Sequence, residues 1–354
     1  MNAPISHAAA AAKNRRNALP LTSLDAARHL RRMSLGPKAT EIVGLTGSSV
    51  SQYVASQLSM VVSRSTFETA LSRGELGRPN LFDNNSNSGL MAQMVKLLSA
   101  PDTLRNRIAF ALSEMFVVSR TGNDWSVTHF GDAIAAYNDI LCIGATGTFR
   151  VMIESIARSP AMALYLTHFC NQKASNGREP YQNFAREIMQ LFCIGLYELN
   201  LDGTRVKAGE LQPSDPRYIA NGTQDVPTYT NIDIVNVARV FTGLCLPNPQ
   251  GQPAFSIQNP ALFDDQTLVQ NGWASRLVFD PLYHESTLPK VALQGRINIP
   301  VGVGGDISLA TCLDALVAHP STAPFIAGRM IRLLMTSNPT SAYVARVEIG
   351  RAHV

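Results

Sequence analysis

The chain has 354 residues, 45% of them hydrophobic and 16% charged, with a net charge of +4. That length and apolar content suffice to bury a sizeable core in one large domain, and the low, dispersed charge excludes the basic footprint of a nucleic-acid binder. The five cysteines are odd in number, form no C-x-x-C pair and lie mostly in apolar runs such as DILCIG and LFCIGL, so a disulfide frame or a zinc cluster is excluded.

Residues 1–20 are Ala-rich, then basic, and lack apolar periodicity, which predicts a flexible arm. Its Lys13, Arg15 and Arg16, with Arg28, Arg31 and Arg32 beyond, form a basic cluster that is expected to be solvated. The start MNAPISHAAAAAKNRRNALP has no apolar core after its charges, so the given chain shows no signal peptide. No run is long enough for a transmembrane segment.

From Thr22 the pattern turns helical. Thr22 and Asp25 form a capping pair, Leu24, Ala27 and Leu30 recur at helical spacing, and Gly36–Pro37 stops the helix. Further helices are predicted at about Thr40–Leu45, Ser49–Leu58, Ser88–Leu98, Asp102–Val118, Phe130–Cys142, Thr148–Arg158 and Pro160–Phe169. The stretch EPYQNFAREIMQLFCIGLYELNLDG, Glu179 to Gly203, is predicted as one long helix run into a turn.

Gly and Pro break the rhythm over about 201–230, a long loop of the kind that is usually functional or mobile. Helix returns at Ile232–Thr242. A second irregular insertion spans about 247–300, where RLVF and INIPV predict at most a small β-hairpin. Leu309–Ala318 and Thr322–Thr336 are again amphipathic. The expectation is a mostly α, multi-helix globular domain over 21–347.

The helix around Asn183 is where a functional reading starts. On a wheel of about 100° per residue, Asn183, Arg186, Glu187 and Gln190 fall within roughly 100°, while Tyr181, Phe184, Ala185, Ile188, Met189, Leu191, Phe192 and Cys193 fill roughly 200° opposite. So broad an apolar arc predicts burial. The narrow polar stripe then reaches solvent at a cleft or meets polar groups inside, because an unpaired buried charge costs several kcal/mol. The plainer reading is structural ion pairing between helices. A second helix, DTLRNRIAFALSEMFVVS, carries Arg107 and Glu114 on one side at a spacing too long for a mutual pair. Pairings of Arg107 with Glu187 and of Arg186 with Glu114 are therefore expected.

Seven ordered motifs carry a resemblance: AARHLRRMSLGP, LRNRIAFALSEMFVVS, SPAMALYL, NFAREIMQLFCIGLYELNLDGT, VARVFTGL, YHESTLPK and HPSTAPFIAGRMIRLLMTSNPTSAYVARV. In that order they resemble the bacterial domain-of-unknown-function family numbered 1800, over about Asp25 to Val347. The resemblance implies a predominantly helical fold without a settled activity, often exported, and a protein partner encoded nearby that is similar to alkaline-phosphatase-type enzymes. The family's central motif has Asn-Glu-Asn before Phe-Ala-Arg-Glu. Here Tyr181-Gln182-Asn183 stands there, so Asn183, Arg186 and Glu187 match while the carboxylate at Gln182 is missing. The family's His-acid pair falls on His284 and Glu285, with Lys290 and Gly295 following. After Val347 the residues EIGRAHV correspond to GAG ATC GGA AGA GCA CAC GTC, a sequencing-adapter run. Residues 348–354 are thus expected to be a non-native tail, with Ile326 and Leu333 exposed where further helices would pack.

A metal reading would combine His284, Glu285 and Glu187 with His168 or Asp202. No helix-borne H-E-x-x-H pair supports it, so no metal ligand is assigned and the residues name no cofactor. No G-x-S-x-G elbow exists, and PVGVGGDISLATCL lacks the Lys of a phosphate loop. Two readings remain. One is an enzyme on a polar or anionic substrate, with Glu187, Arg186 and His284 as candidate catalytic residues and Asn183, Arg107, Glu114 and Glu285 as candidate binding residues. The other is a non-catalytic binding or assembly partner of an exported phosphatase-like protein.

Overall fold

The computed structural model describes residues 20–72, 86–119, 131–248, 251–253 and 272–351. The expected N-terminal arm, the middle of the 247–300 insertion and the last three residues lie outside them. The described chain is mostly helical, with two small antiparallel strand pairs, as expected from the sequence. Among the described residues no helix is long and apolar enough to cross a membrane.

Helix α1 (Ser23–Met33) starts where Thr22 accepts a hydrogen bond from the Asp25 amide at 3.2 Å and donates to its carboxylate at 2.7 Å. With α2 (Ala39–Leu45) and α3 (Val50–Ser59) it encloses a small separate core of Ala26, Leu30 and Leu45. This satellite is fastened to the main body by polar contacts. Tyr53 meets Thr103 at 2.9 Å, Gln57 accepts from the Leu104 amide at 3.0 Å, and Arg105 donates to the Met60 carbonyl at 3.0 Å.

Helix α4 (Ser65–Ser72) is not expected from the local pattern. Its first amides, Ser65 and Thr66, donate to the carboxylate of Asp139 at 2.6 and 3.1 Å. The cap therefore comes from a residue more than seventy positions away, on α7. Helices α5 (Ser86–Ser99), α6 (Thr103–Met115) and α7 (Gly131–Gly144) pack beside it. Helix α5 is inverted. Ser88, Ala92 and Lys96 face inward, with the Lys96 ammonium 3.1 Å from the Cys142 sulfur and 3.6 Å from Asp139, while Met91, Met94, Val95 and Leu98 are exposed.

Helix α8 (Phe149–Ala157) is capped by Thr148, and α9 (Pro160–Tyr165) stops where Thr167 turns to a positive φ of 64°, earlier than the periodicity predicts. Helix α10 is short, Asn183–Glu187, and continues as a π turn over Ile188–Cys193, where the Ile194 amide reaches back to Met189 at 2.9 Å. The predicted continuous helix thus widens at Glu187. Helix α11 (Asn231–Val240) follows a Thr230/Asp233 capping box.

Strand β1 (Leu244–Cys245) pairs with β2 (Val278–Phe279), and β3 (Lys290–Ala292) pairs with β4 (Ile297–Ile299) in register Lys290↔Ile299. INIPV thus belongs to a hairpin, as expected, whereas RLVF pairs with the chain leaving α11. Helices α12 (Gly305–Val317), α13 (Thr322–Leu334) and α14 (Ser341–Arg351) close the fold. One continuous core runs from α6 through α12, with Phe116, Phe184, Ile188, Phe241 and Leu313 inside it. Ile326 and Leu333 are half-buried and packed on this core rather than exposed, because they lie on the inner face of α13. The 201–230 loop is tied down by bridges between Leu199 and Arg205 and between Lys207 and Asp225.

Candidate functional site

The apolar side of α10 and the π turn is buried as expected: Phe184, Ala185, Ile188, Met189, Phe192 and Cys193 all lie in the core. The polar stripe is not. Asn183 and Arg186 are exposed and Glu187 is half-buried. The reason is that the solvent face is wider than the polar stripe. Leu191, one turn beyond Glu187, is 42% exposed, so an apolar arc on the wheel overstates how far burial extends. The expected cross-helix pairs are absent among the described residues as well. Glu114 is exposed, and Arg107 instead donates to the Leu333 carbonyl at 3.2 Å, tying α6 to α13.

Within the stripe one group stands apart. The Oε2 atom of Glu187 is buried and has no hydrogen-bond partner among the described residues. Burial raises the pKa of this carboxyl, and the adjacent Arg186 offsets only part of that rise. Tyr229 donates to the Gln190 side-chain oxygen at 2.9 Å. Its own phenol is pushed up by burial and feels both Arg186 and Glu187, so the four side chains form one electrostatic unit.

His284 lies in a different environment. It is buried, with Nδ1 2.9 Å from the Thr242 carbonyl and Nε2 3.3 Å from the Ser308 hydroxyl, and its ring packs edge-on against Phe279. Burial lowers its pKa, with Lys290 lowering it further and the Thr242 carbonyl, Glu285 and Asp306 opposing. The neutral tautomer that donates from Nδ1 and accepts at Nε2 satisfies both contacts. Glu285 accepts from the Thr287 amide at 2.8 Å, the Thr287 hydroxyl at 2.6 Å and the Leu288 amide at 3.1 Å. Burial acts to raise its pKa, but these bonds and Arg239 outweigh burial and hold it below the usual value. Lys290 is fully buried, its ammonium 3.4 Å from Ser308, and burial lowers its pKa.

Gly243 makes this packing feasible: its φ is +85°, and an added Cβ would come within 2.7 Å of the Asp280 carbonyl and 2.9 Å of the His284 amide. Among the described residues the side-chain hydrogen-bond and ring partners of His284 are thus Thr242, Ser308 and Phe279, and none belongs to the Arg186–Glu187 turn.

Among the described residues no group of three or more His, Cys, Asp and Glu side chains converges in a metal-holding arrangement. His168, a candidate ligand by residue type, is instead a core residue stacked on Phe184 at 3.9 Å, with Nε2 on the Ala157 carbonyl at 3.0 Å. Asp202 accepts from the Thr204 hydroxyl and amide at 2.6 and 3.0 Å in a tight turn.

The stripe does reach a cleft, at its C-terminal end. Gln190 lines a depression of about 470 Å³ whose walls include Tyr197, Phe325, Arg205, Arg329, Arg332 and Asp202. Sequence reasoning missed these arginines. They come from the 201–230 loop and from α13, and no local spacing connects them. The only signal was R-x-x-R at Arg329 and Arg332, which puts both on one helix face.

No curated protein and no solved structure matches the chain. The model of the family described as Protein of unknown function (DUF1800) matches residues 28–349, nearly the whole length, and the chain belongs to that family.

Proposed function

We propose that the chain acts on a polar or anionic substrate at the surface formed by Arg186, Glu187, Gln190 and Tyr229, with Glu187 as the proton-transferring group. The observation that carries this reading is the buried, unpartnered Oε2 of Glu187. Seven other buried side-chain atoms among the described residues also lack a partner, but Glu187 Oε2 is the one carboxylate oxygen in that set, and it lies beside an exposed cation. Its raised pKa moves it toward the range where a carboxyl is useful as a general acid or base near neutrality. Arg186, exposed beside it, supplies a cation for an anionic group, and Asn183 adds an exposed amide one turn earlier. His284, Glu285 and Lys290 take a structural part in this reading: they pin the loop after β2 to α11 and α12.

The test is incubation of purified protein with a defined mixture of small carboxylates, phosphate monoesters and amides, followed by mass spectrometry. Wild type is expected to convert at least one component, and Glu187→Gln to lose about a hundredfold or more of that rate. No conversion by wild type, or equal conversion by the variant, overturns the reading.

A second reading, a binding or assembly partner, is favoured by α5. Its exposed Met91, Met94, Val95 and Leu98 recur at i, i+3, i+4 and i+7, the spacing of a helix that docks by its apolar face. Light scattering of wild type and a Met94→Lys, Leu98→Lys double variant, alone and with extract proteins cross-linked at α5, tests it. Indistinguishable assembly and cross-link patterns would remove that support.

A further inference from the structure

The cleft that begins at Gln190 is lined by three arginines, Arg205, Arg329 and Arg332, and one carboxylate. Arg205 lies over the Tyr197 ring at 4.6 Å and pairs with Asp225 at 2.6 Å. Arg329 lies over the Phe325 ring at 5.6 Å and donates to the Leu191 carbonyl, and burial lowers its pKa. These two guanidiniums are braced. Arg332 is exposed and has no hydrogen-bond or ion-pair partner among the described residues. The one carboxylate in the lining, Asp202, is already engaged by Thr204. A folded chain that needed these charges only for solubility would not cluster them in a concavity, where they repel one another.

Beyond Gln190, Tyr197 and Ser341, the side chains that complete the lining are apolar. Leu191 and Leu196 are 42% and 50% exposed toward solvent, and Pro324, Phe325 and Val344 complete the walls. The volume of about 470 Å³ falls within the range of sites for small organic molecules. Gly195, with φ of +75°, lets the chain turn tightly against Phe325: an added Cβ would lie 2.9 Å from that ring. The aromatic wall is therefore held in place by backbone geometry as well as by Arg329.

We propose that this cleft binds an amphiphilic organic anion, a carboxylate or phosphate monoester on an apolar body, with Arg332 and Arg329 on the anionic group and Leu196, Phe325 and Val344 on the body. A guanidinium fork matches either oxyanion in bidentate fashion, and a bare inorganic ion would leave the apolar walls unused. The inference deepens the acid-base reading by naming its substrate class, and rests on that reading only for turnover. Gln190 is the link, since it lines the cleft and accepts from Tyr229.

The experiment is isothermal titration of the full chain with phenyl phosphate, benzoate, inorganic phosphate and benzyl alcohol. Phenyl phosphate or benzoate is expected to bind at least about tenfold more tightly than either inorganic phosphate or the neutral alcohol. Arg332→Ala, a change at an unpartnered side chain, is expected to weaken binding about tenfold or more with an unchanged unfolding midpoint. No binding of either organic anion, equal binding of inorganic phosphate, or full binding by Arg332→Ala each overturns the proposal. Glu187→Gln separates it from the acid-base reading, because that variant should bind phenyl phosphate as wild type does. Tight binding without conversion by any form keeps the cleft and removes the catalysis. Conversion that survives Arg332→Ala at the wild-type rate and affinity keeps the catalysis and removes the cleft.

Discussion

The His284 cluster and the Glu187 cluster are both polar groups set among apolar elements, and both lie within the stretch the family model matches, yet they differ in one respect. Around His284 every ring nitrogen has a partner, Glu285 accepts three hydrogen bonds, and Lys290 reaches Ser308. Around Glu187 one oxygen is buried without a donor among the described residues, Arg186 faces solvent, and the stripe leads into a cleft whose Arg332 has no partner among those residues. The Nε of Arg239, beside Glu285, is buried without a partner among the described residues, but the side chains of His284, Glu285 and Lys290 are themselves engaged, whereas Glu187 at the surface keeps a free oxygen. On the proposed reading closure is therefore a better guide to use than residue type, and histidine and lysine, versatile as acids, bases and nucleophiles, take the structural part.

The largest expected effect probes the closed side of this contrast. Replacing His284 by Ala removes a fully buried ring, leaves the Thr242 carbonyl without its donor, and opens a cavity against Phe279. Urea unfolding at pH 7 should show a loss of roughly 3–5 kcal/mol. Arg186→Ala, at an exposed residue, should change stability by less than about 0.5 kcal/mol. If the two variants lost similar amounts, the distinction between a closed and an open cluster would collapse.

Much of the fold was legible because its signals are local. Thr22, Ser49 and Thr148 cap helices where the sequence pattern places their starts, Thr230 caps a helix two residues before its expected start at Ile232, and the INIPV strand is in a hairpin. The failures share a cause: they depend on distant partners. Helix α4 is capped by Asp139, the π turn after Glu187 is set by packing, and the exposure of Asn183 and Arg186 follows from what does not cover them. The wheel locates the stripe correctly as a face. It carries no information about neighbours, so neither Arg107 nor Glu114 became a partner, and the three arginines of the cleft went unseen. His284 reads as chemistry in the sequence because imidazole is versatile. Only the folded arrangement reveals that Thr242 and Ser308 use up both nitrogens.

A second, smaller effect sharpens what closure costs in acid. The pKa values of His168 and His319 are both lowered to about 4, in each case chiefly by burial. For such a group the folded state resists protonation more than the unfolded chain, whose histidine titrates near 6.5. The associated stability is therefore fully present above pH 6.5 and is lost as pH falls through about 4, on the order of 3 kcal/mol for the fully buried His168. His168→Phe keeps a ring between Phe184 and Phe241 but cannot titrate. The difference in unfolding free energy between pH 7 and pH 4 should shrink by about that amount in the variant. An unchanged difference would assign the acid sensitivity elsewhere, with Asp215, lowered to about 2 chiefly by its hydrogen bond from the Arg217 side chain, as one other contributor.

The smallest effect bears on the open side. Glu187 has a raised carboxyl pKa, so the sign is opposite to that of His168: its contribution to stability is fully present below the unfolded value of 4.5 and is lost as pH rises through the folded value. Above that window the ionised carboxylate, with one oxygen buried and unpartnered, is a burden on the fold. Gln at this position is uncharged at every pH and nearly the same shape. Glu187→Gln should therefore gain stability at pH 8, by up to about 1 kcal/mol after allowing for the solvent that reaches a half-buried group, and match wild type at pH 4. A gain at pH 8 alone is the signature of a residue kept for something other than folding, since a structural carboxylate with partners loses stability when made neutral. Denaturant titrations at the two pH values decide the matter: a loss at pH 8 would mean that Glu187 belongs with Glu285 among the satisfied carboxylates, and the contrast between the two clusters would disappear.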